Sequence, residues 1–309
     1  MIIREIKDIN YIKKNNKKYP VYTHVYKKNN KIIDPNNINF PFKRIPPAYP
    51  YVEIYPNKDP LAKCRDNENR LQYIYSKEFQ INQNNKKYCS LLKPINNLEN
   101  LLNFISKNSK QNTINKEKAI STLLLLMSQC HFRIGNNKFE KRYGSFGLTT
   151  LHKSHFKGDN RGLIVEFVGK KGVINKCAIE KNSNLFKSLI PFLKNSKEYL
   201  FEYEDGKKLN SKDVNDFLKE KMNIRAKDLR TYFANLLFIE ELKKYYPKNK
   251  KEISDIIEIV SNKLHHSKSI CKSSYLYPPI ISDAENGGKF FNKNKSSIEI
   301  FKQYLKKNC

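Results

Sequence analysis

Tyr275 stands in the polar stretch SKSICKSSYLYPPII (267–281), nine residues after His266. A core tyrosine normally sits among aliphatic residues at helical or strand spacing. This one follows Ser, Ile, Cys, Lys, Ser and Ser, a setting that suits a hydroxyl that must be reached. Upstream, Arg133 closes an apolar stretch in CHFRIG, Lys170 sits at the tip of FVGKKG, and Arg230 interrupts the apolar KDLRTYFANLLF. A charge in such surroundings is costly unless it faces an anion. A nucleophilic hydroxyl, forked cations for non-bridging oxygens and an acid for a departing oxygen are what phosphodiester cleavage needs when no metal takes part. Singly, each residue has a plain alternative. The arginines could be helix residues with heads in solvent, Lys170 a solvated turn lysine, His266 a helix C-terminal histidine, and Tyr275 one of 19 tyrosines. The ordered set of five in a very basic chain carries the reading.

These residues need elements to hold them. LENLLNFISK and EKAISTLLLLMSQCHFRIG have helical apolar spacing, and the second is apolar on nearly all sides, as a buried helix is. GLIVEFVGKKGVINKCAIE alternates as two strands around GKKG. AKDLRTYFANLLFIEELKKYY and KKEISDIIEIVSNKLHH repeat apolar residues at i, i+3, i+4 and i+7, and SSIEIFKQYLKKNC opens on a capping box, Ser296 and Glu299. Before them, residues 10–50 are rich in Asn, Lys and Pro and end in FPFKRIPPAYP, which no regular helix accommodates. YVEIY and LQYIYS are short aromatic and β-branched runs of a small β domain. The expected fold is α+β, with a β-rich domain over 1–82 and a mainly helical domain containing a β-hairpin over 83–309.

With 59 Lys and Arg against 30 Asp and Glu, the formal charge is +29, spread along 309 residues. A folded chain this basic needs a polyanionic partner, nucleic acid first; no basic amphipathic helix with bulky anchors favours a membrane surface. The longest aliphatic run, Leu123–Met127, is too short for a bilayer, and Met1 is followed by charged sequence, so the expected setting is intracellular. Cys64, Cys89, Cys130, Cys177, Cys271 and Cys309 include no CxxC pair and are expected to be reduced thiols.

FRIG with GLTTL downstream, VEFVGKKG, IRAKDLRTYFANLLF, a histidine nine residues before a tyrosine, and IPPAY and NRLQYIY in the N-terminal half resemble the type IB DNA topoisomerases. The likeness is to the compact poxvirus-like kind shared with giant viruses and some bacteria. It covers most of the chain. The resemblance implies that Tyr275 is the nucleophile that forms a 3′-phosphotyrosine, with Arg133, Lys170, Arg230 and His266 as its partners and Lys170 as general acid. It implies supercoil relaxation without cofactor, ATP or required metal. It also implies a monomer clamped on double-stranded DNA, with a virion or viral factory as the setting if the origin is viral. Arg70, Gln72, Tyr73 and Tyr75 are the DNA-binding candidates of the N-terminal strand, and Lys227 that of the catalytic domain.

Two other readings stand beside it. A tyrosine recombinase uses nearly the same residues, but its usual HxxR has Lys227 here in place of the histidine. A non-catalytic basic DNA-binding protein explains the charge and not the ordered five. ENGGKF lacks the P-loop pattern, and HKSH (His152, His155) and EYED (Glu202, Glu204, Asp205) are expected to be solvated loops rather than metal sites. Against the common pattern, His265 stands where relatives usually have Gly.

Overall fold

The computed structural model describes residues 1–41, 44–66, 68–204, 206–245, 249–288 and 294–309. Asp205, one member of the EYED stretch, therefore lies outside the described residues. The chain divides into two compact units, Met1–Lys87 and Tyr88–Cys309. A boundary after residue 82 falls inside the helix that runs across the division.

In the first unit, β1 (Ile2–Lys14), β2 (Lys17–Lys28), β3 (Lys31–Ile32), β4 (Tyr51–Ile54), β5 (Ala62–Arg65) and β6 (Leu71–Ile74) form one sheet. Their order is β3-β2-β1-β4-β5-β6, and the pairings are antiparallel. The period-2 pattern of YVEI buries Val52 and Ile54, which pack with Ile2, Phe40, Ile45, Ala62 and Cys64. Arg4 is buried in this small core, and its guanidinium donates to the carbonyls of Ile45 (3.4 Å), Pro46 (2.8 Å) and Tyr49 (3.2 Å). The proline-rich IPPAY loop cannot satisfy its carbonyls by helix or ladder bonds, so a buried arginine does so. The Asn- and Lys-rich start of the chain, where the sequence suggested no strands, is the long hairpin β1–β2.

Helix α1 (Lys77–Cys89) ends the first unit and reaches two residues into the second, which continues through α2 (Leu98–Asn108), α3 (Lys116–Cys130) and α4 (Asn137–Tyr143) to β7 (Phe156–Asp159), β8 (Gly162–Val168) and β9 (Ile174–Glu180). After α5 (Asn184–Asn195) come the short pair β10 (Glu202–Tyr203) and β11 (Lys207–Lys208), then α6 (Ser211–Met222) and α7 (Ala226–Tyr245). The chain closes with α8 (Lys250–Lys263), α9 (Lys268–Ser274), α10 (Pro278–Glu285) and α11 (Ser297–Asn308). The expected hairpin is β8–β9, and β7 adds a third antiparallel strand. Helix α3 is buried on nearly every side; Leu123, Leu124 and Leu126 are each fully covered and contribute about 1.5–3 kcal/mol apiece. Helix α7 is the second buried rod, packed against α8 and α11. No helix among the described residues is long and apolar enough to cross a membrane.

Four of the six cysteines are not reduced thiols. Cys89 pairs with Cys309 and Cys130 with Cys177, while Cys64 and Cys271 are free and buried. Partners 220 and 47 residues apart meet only through tertiary packing, which sequence spacing does not encode.

Candidate active site

Arg133 lies beyond the helix it was expected to end. Helix α3 stops at His131, a left-handed cap (φ 53°), and Arg133 follows in a segment that is neither helix nor strand. That segment is stitched to a second one: Leu148 N–H donates to the Arg133 carbonyl (2.9 Å), and Thr149 donates to the Ile134 carbonyl through its backbone N–H (2.8 Å) and hydroxyl (3.0 Å). The two segments touch at Gly135 and Gly147. A Cβ on Gly147 would lie 2.5 Å from Gly135 Cα and 2.8 Å from the Arg133 carbonyl oxygen. FRIG and GLTT are thus two halves of one contact that sets the Arg133 backbone. Gly147→Ala is expected to slow single-turnover DNA cleavage by on the order of 10²-fold, the usual cost of an ångström-scale misplacement. Wild-type cleavage in that variant would show that the contact does not position Arg133.

Arg230 projects from α7, is only 3 % exposed, and donates through Nη2 to the carbonyl of Leu264, the C-cap of α8. The chain then turns through His265 in the left-handed region (φ 53°), which explains why glycine is the easier residue there. His265 compensates by bonding: its Nε2 donates to the Cys130 carbonyl (3.0 Å) and its ring packs on Phe132 (5.1 Å between centroids). This ties the turn before His266 to the segment that leads to Arg133. His266 stacks on Tyr275 with centroids 4.8 Å apart and planes at 16°, and the Arg230 guanidinium carbon lies 5.4 Å from the Tyr275 ring centroid. Burial lowers the pKa of both Arg230 and His266, and the positive charge of Arg133 is near enough to add to each shift.

Asn235, one and a half turns after Arg230 on α7, was missed by sequence reasoning. It is fully buried, its Nδ2 donates to the Tyr275 carbonyl (2.8 Å), and its Oδ1 accepts from Tyr277 N–H (2.8 Å). One amide thereby clamps the backbone on both sides of Leu276. Its only sequence signal was a polar residue in the middle of an otherwise apolar helix. Asn235→Leu leaves a carbonyl and an N–H without that partner, about 1–3 kcal/mol each. We expect a lower Tm and slower cleavage with duplex binding retained; an unchanged cleavage rate would remove Asn235 from this role.

The electrostatics of the cluster are those of an anion site. Burial pushes the Arg230 pKa down to about 10, with Arg133 adding to the shift and Tyr275 opposing it. Burial, then Arg230 and Arg133, lower His266 to about 4, so the ring is neutral at neutral pH. Arg230 Nε and Nη1 and both His266 ring nitrogens are buried without a hydrogen bond of ordinary geometry among the described residues; Arg230 interacts with the Tyr275 side chain and His266 with the Ser267 backbone. Buried polar atoms are almost always well paired, and under-satisfied nitrogens of an arginine and a histidine beside a half-exposed tyrosine fit an oxyanion that is not part of the chain.

Lys170 is not drawn into this cluster. It lies exposed on the turn Lys170–Gly172 between β8 and β9, beside Lys171 in the left-handed region (φ 63°). The base of the turn is fixed: Gly169 N–H donates to the Val173 carbonyl (2.7 Å), and a Cβ on Gly169 would sit 2.1 Å from Asn175 Nδ2. Lys227, exposed on the first turn of α7, is three residues before Arg230.

In the first unit, Gln72 and Tyr73 lie on edge strand β6, with Arg70 just before it and Tyr75 just after. Arg70 pairs with Asp66 (2.8 Å) and Glu68 (3.0 Å), and Gln72 donates to Asp66 (3.1 Å). Tyr73 is exposed, and Tyr75 stacks on Phe79 at 4.3 Å.

His152 and His155 are not in solvated loops. Both join a partly buried ring cluster with Phe146, and His152 bonds Glu140 (3.1 Å). Glu202 accepts from the N–H groups of Lys197, Glu198 and Tyr199 and closes a turn. No cluster of metal-ligand side chains occurs among the described residues.

Residues 76–299 match the family model described as the catalytic core of eukaryotic DNA topoisomerase I. DNA topoisomerase 1B of Acanthamoeba polyphaga mimivirus is 28 % identical over 285 residues, covering 85 % of this chain and 84 % of the relative. DNA topoisomerase 1B of Vaccinia virus (strain Copenhagen) is 27 % identical over 244 residues, 76 % of each chain. DNA topoisomerase I of Monkeypox virus is similar to the same extent.

Proposed function

The chain belongs to the poxvirus-like type IB DNA topoisomerases, and we propose that it relaxes supercoiled duplex DNA through a transient 3′-phosphotyrosyl bond to Tyr275. The observation that supports this most is the set of under-satisfied buried nitrogens of Arg230 and His266 around the Tyr275 ring.

In the proposed mechanism the scissile phosphodiester enters this pocket and accepts from Arg230 and from one nitrogen of His266, with Arg133 as the second forked cation. The phosphate's charge favours the protonated imidazole, so DNA binding raises the His266 pKa from its low value in the free protein. A tyrosine hydroxyl is a poor nucleophile near pH 7, and the surrounding cations stabilise phenolate character as it attacks. The Tyr275 hydroxyl gives up its proton to solvent water as the bond from its Oη to phosphorus forms, the bond from phosphorus to the 5′ oxygen breaks, and Lys170 gives that oxygen a proton, which the lysine regains from solvent. From its exposed turn, Lys170 reaches the leaving group only when DNA is bound. The product is still a phosphodiester, so rejoining by the reverse steps needs no external energy. Between the two steps the free 5′ end rotates and releases supercoils.

Arg70, Gln72, Tyr73 and Tyr75 of the first unit and Lys227 of the second are the proposed DNA contacts of a monomer. Arg70, whose own side chain is exposed, then exchanges the carboxylates of Asp66 and Glu68 for phosphate or guanine, while Asp66 keeps the backbone N–H groups of Glu68 and Arg70 as donors. The test is supercoiled plasmid in EDTA without ATP. A ladder of topoisomers ending in relaxed circles is expected; relaxation that depends on Mg²⁺ or ATP would overturn the mechanism, and linked or dimeric plasmids would point to the recombinase reading. Duplex affinity is expected to fall steeply with salt as counterions are released. A flat dependence would rule out an extended phosphate interface.

A further inference from the structure

Hairpin β1–β2 is far longer than the sheet it starts. The two strands pair from Ile3↔Lys27 to Lys14↔Lys17, but β4 covers only Ile2–Glu5 of β1, and β3 covers only Lys27–Lys28 of β2. The ladder is interrupted at Lys7, between Ile6 and Asp8, and beyond that point no strand among the described residues pairs with the outer edge of either strand. Every residue from Lys7 to Val21 is exposed, Tyr11 at 65 % and Tyr19 at 45 % among them. Seven residues per strand make a ribbon about 23 Å long at roughly 3.3 Å per residue. Its tip is the turn Asn15–Asn16, both in the left-handed region (φ 50° and 58°), as a two-residue hairpin turn requires.

A bare ribbon contributes nothing to the core and exposes two strand edges, a liability that proteins usually blunt. Here the blunting is specific in its chemistry. Residues 7–23 hold five lysines and one acidic residue, and four of the lysines bracket the tip as KKNNKK. The register puts Lys13 beside Lys18 on one face and Lys14 beside Lys17 on the other. Behind the tip, Tyr11 and Pro20 share the first face, and Ile12 and Tyr19 the second. A cation pair on each face, backed by a tyrosine, suits a blade that enters a groove with a phosphate wall on both sides. The major groove of B-DNA, about 12 Å wide, admits a two-stranded ribbon.

We propose that this ribbon is an additional DNA-contacting arm, distinct from strand β6, which inserts its tip into a groove of the bound duplex away from the cleaved step. Lys13, Lys14, Lys17 and Lys18 hold phosphates, and Tyr11 and Tyr19 pack on sugars and base edges. The inference rests on duplex DNA being the substrate.

The test uses the full chain with Lys13, Lys14, Lys17 and Lys18 all changed to Ala. These side chains are exposed, so folding is not at stake. A control changes the exposed Lys187, Lys194, Lys197 and Lys212 to Ala, with the same loss of charge. Each lost phosphate contact removes about 0.9 from the slope of log affinity against log salt. The ribbon variant is expected to lose roughly 3 from that slope, and the control less than about 1. In a hydroxyl-radical footprint of protein trapped covalently at one phosphate, a patch of protected sugars remote from that phosphate should vanish in the ribbon variant alone. Adduct formation at saturating protein should keep its wild-type rate. An unchanged slope and footprint, or an equal loss in the control, would overturn the arm. So would a wild-type dimer that the ribbon variant loses while its DNA binding is intact, because the ribbon would then pair with a second copy. Failure of the catalytic reading looks different: no adduct forms at all, while the salt slopes still decide the arm.

Discussion

Tyr275→Phe is expected to abolish plasmid relaxation and the trapped protein–DNA adduct while leaving duplex binding nearly intact. The substitution removes one oxygen and keeps the ring, and the ring is what packs: it stacks on His266 and lies beneath Arg230. Asn235 holds the Tyr275 backbone rather than its side chain, so the local path of the chain is retained as well. The next tyrosine in the chain, Tyr277, cannot take over. It is 2 % exposed, burial raises its pKa, and its own N–H is held by Asn235. The assay is denaturing gel electrophoresis of protein incubated with a labelled duplex. Any adduct in the Phe variant would remove Tyr275 from the proposed role, and an adduct mapped to Tyr277 would mean that the histidine-to-tyrosine register is shifted.

What could be read in the sequence follows the range of the interactions concerned. Helices α3, α7 and α8 and hairpin β8–β9 were legible because their apolar periods are local and strong. The grouping of Arg230, His266 and Tyr275 was legible only as an ordered set, since each member has an ordinary alternative. Asn235 was not legible, because its value lies in two backbone groups 40 and 42 residues further on. Neither was the Gly135–Gly147 contact as a contact, although both glycines stood inside the motifs that carried the family resemblance. The disulfides were hidden for the same reason. Hairpin β1–β2 escaped for the opposite one. Its NN turn is a local signal, but with both faces wet beyond Lys7 there is no alternation of apolar and polar residues to mark it as a strand pair.

Lys170→Ala is expected to slow cleavage by on the order of 10² to 10⁴, the range typical of general-acid loss. In the free protein its ammonium is exposed on a turn, with no side-chain partner among the described residues, and Lys171, though its backbone is left-handed, is exposed in the same way. The distinction has to come from chemistry. If Lys170 protonates the departing 5′ oxygen, a substrate with sulfur in that bridging position has a leaving group that needs no proton, and the defect should largely vanish. Lys171→Ala should lose far less on either substrate. Arg230→Ala provides the contrast, because its proposed partners are the non-bridging oxygens, whose charge develops whichever atom leaves. Its defect should persist with sulfur. Single-turnover cleavage of paired oxygen and sulfur substrates by the three variants measures all of this at once. Equal defects of Lys170→Ala on both substrates would make the lysine a DNA-positioning residue and transfer the acid role to Arg133 or another group. The exposed turn is what makes rescue the informative readout: a lysine that arrives only with bound DNA cannot be assigned from the free protein's geometry, whereas a leaving group that needs no proton reports the proton's donor directly.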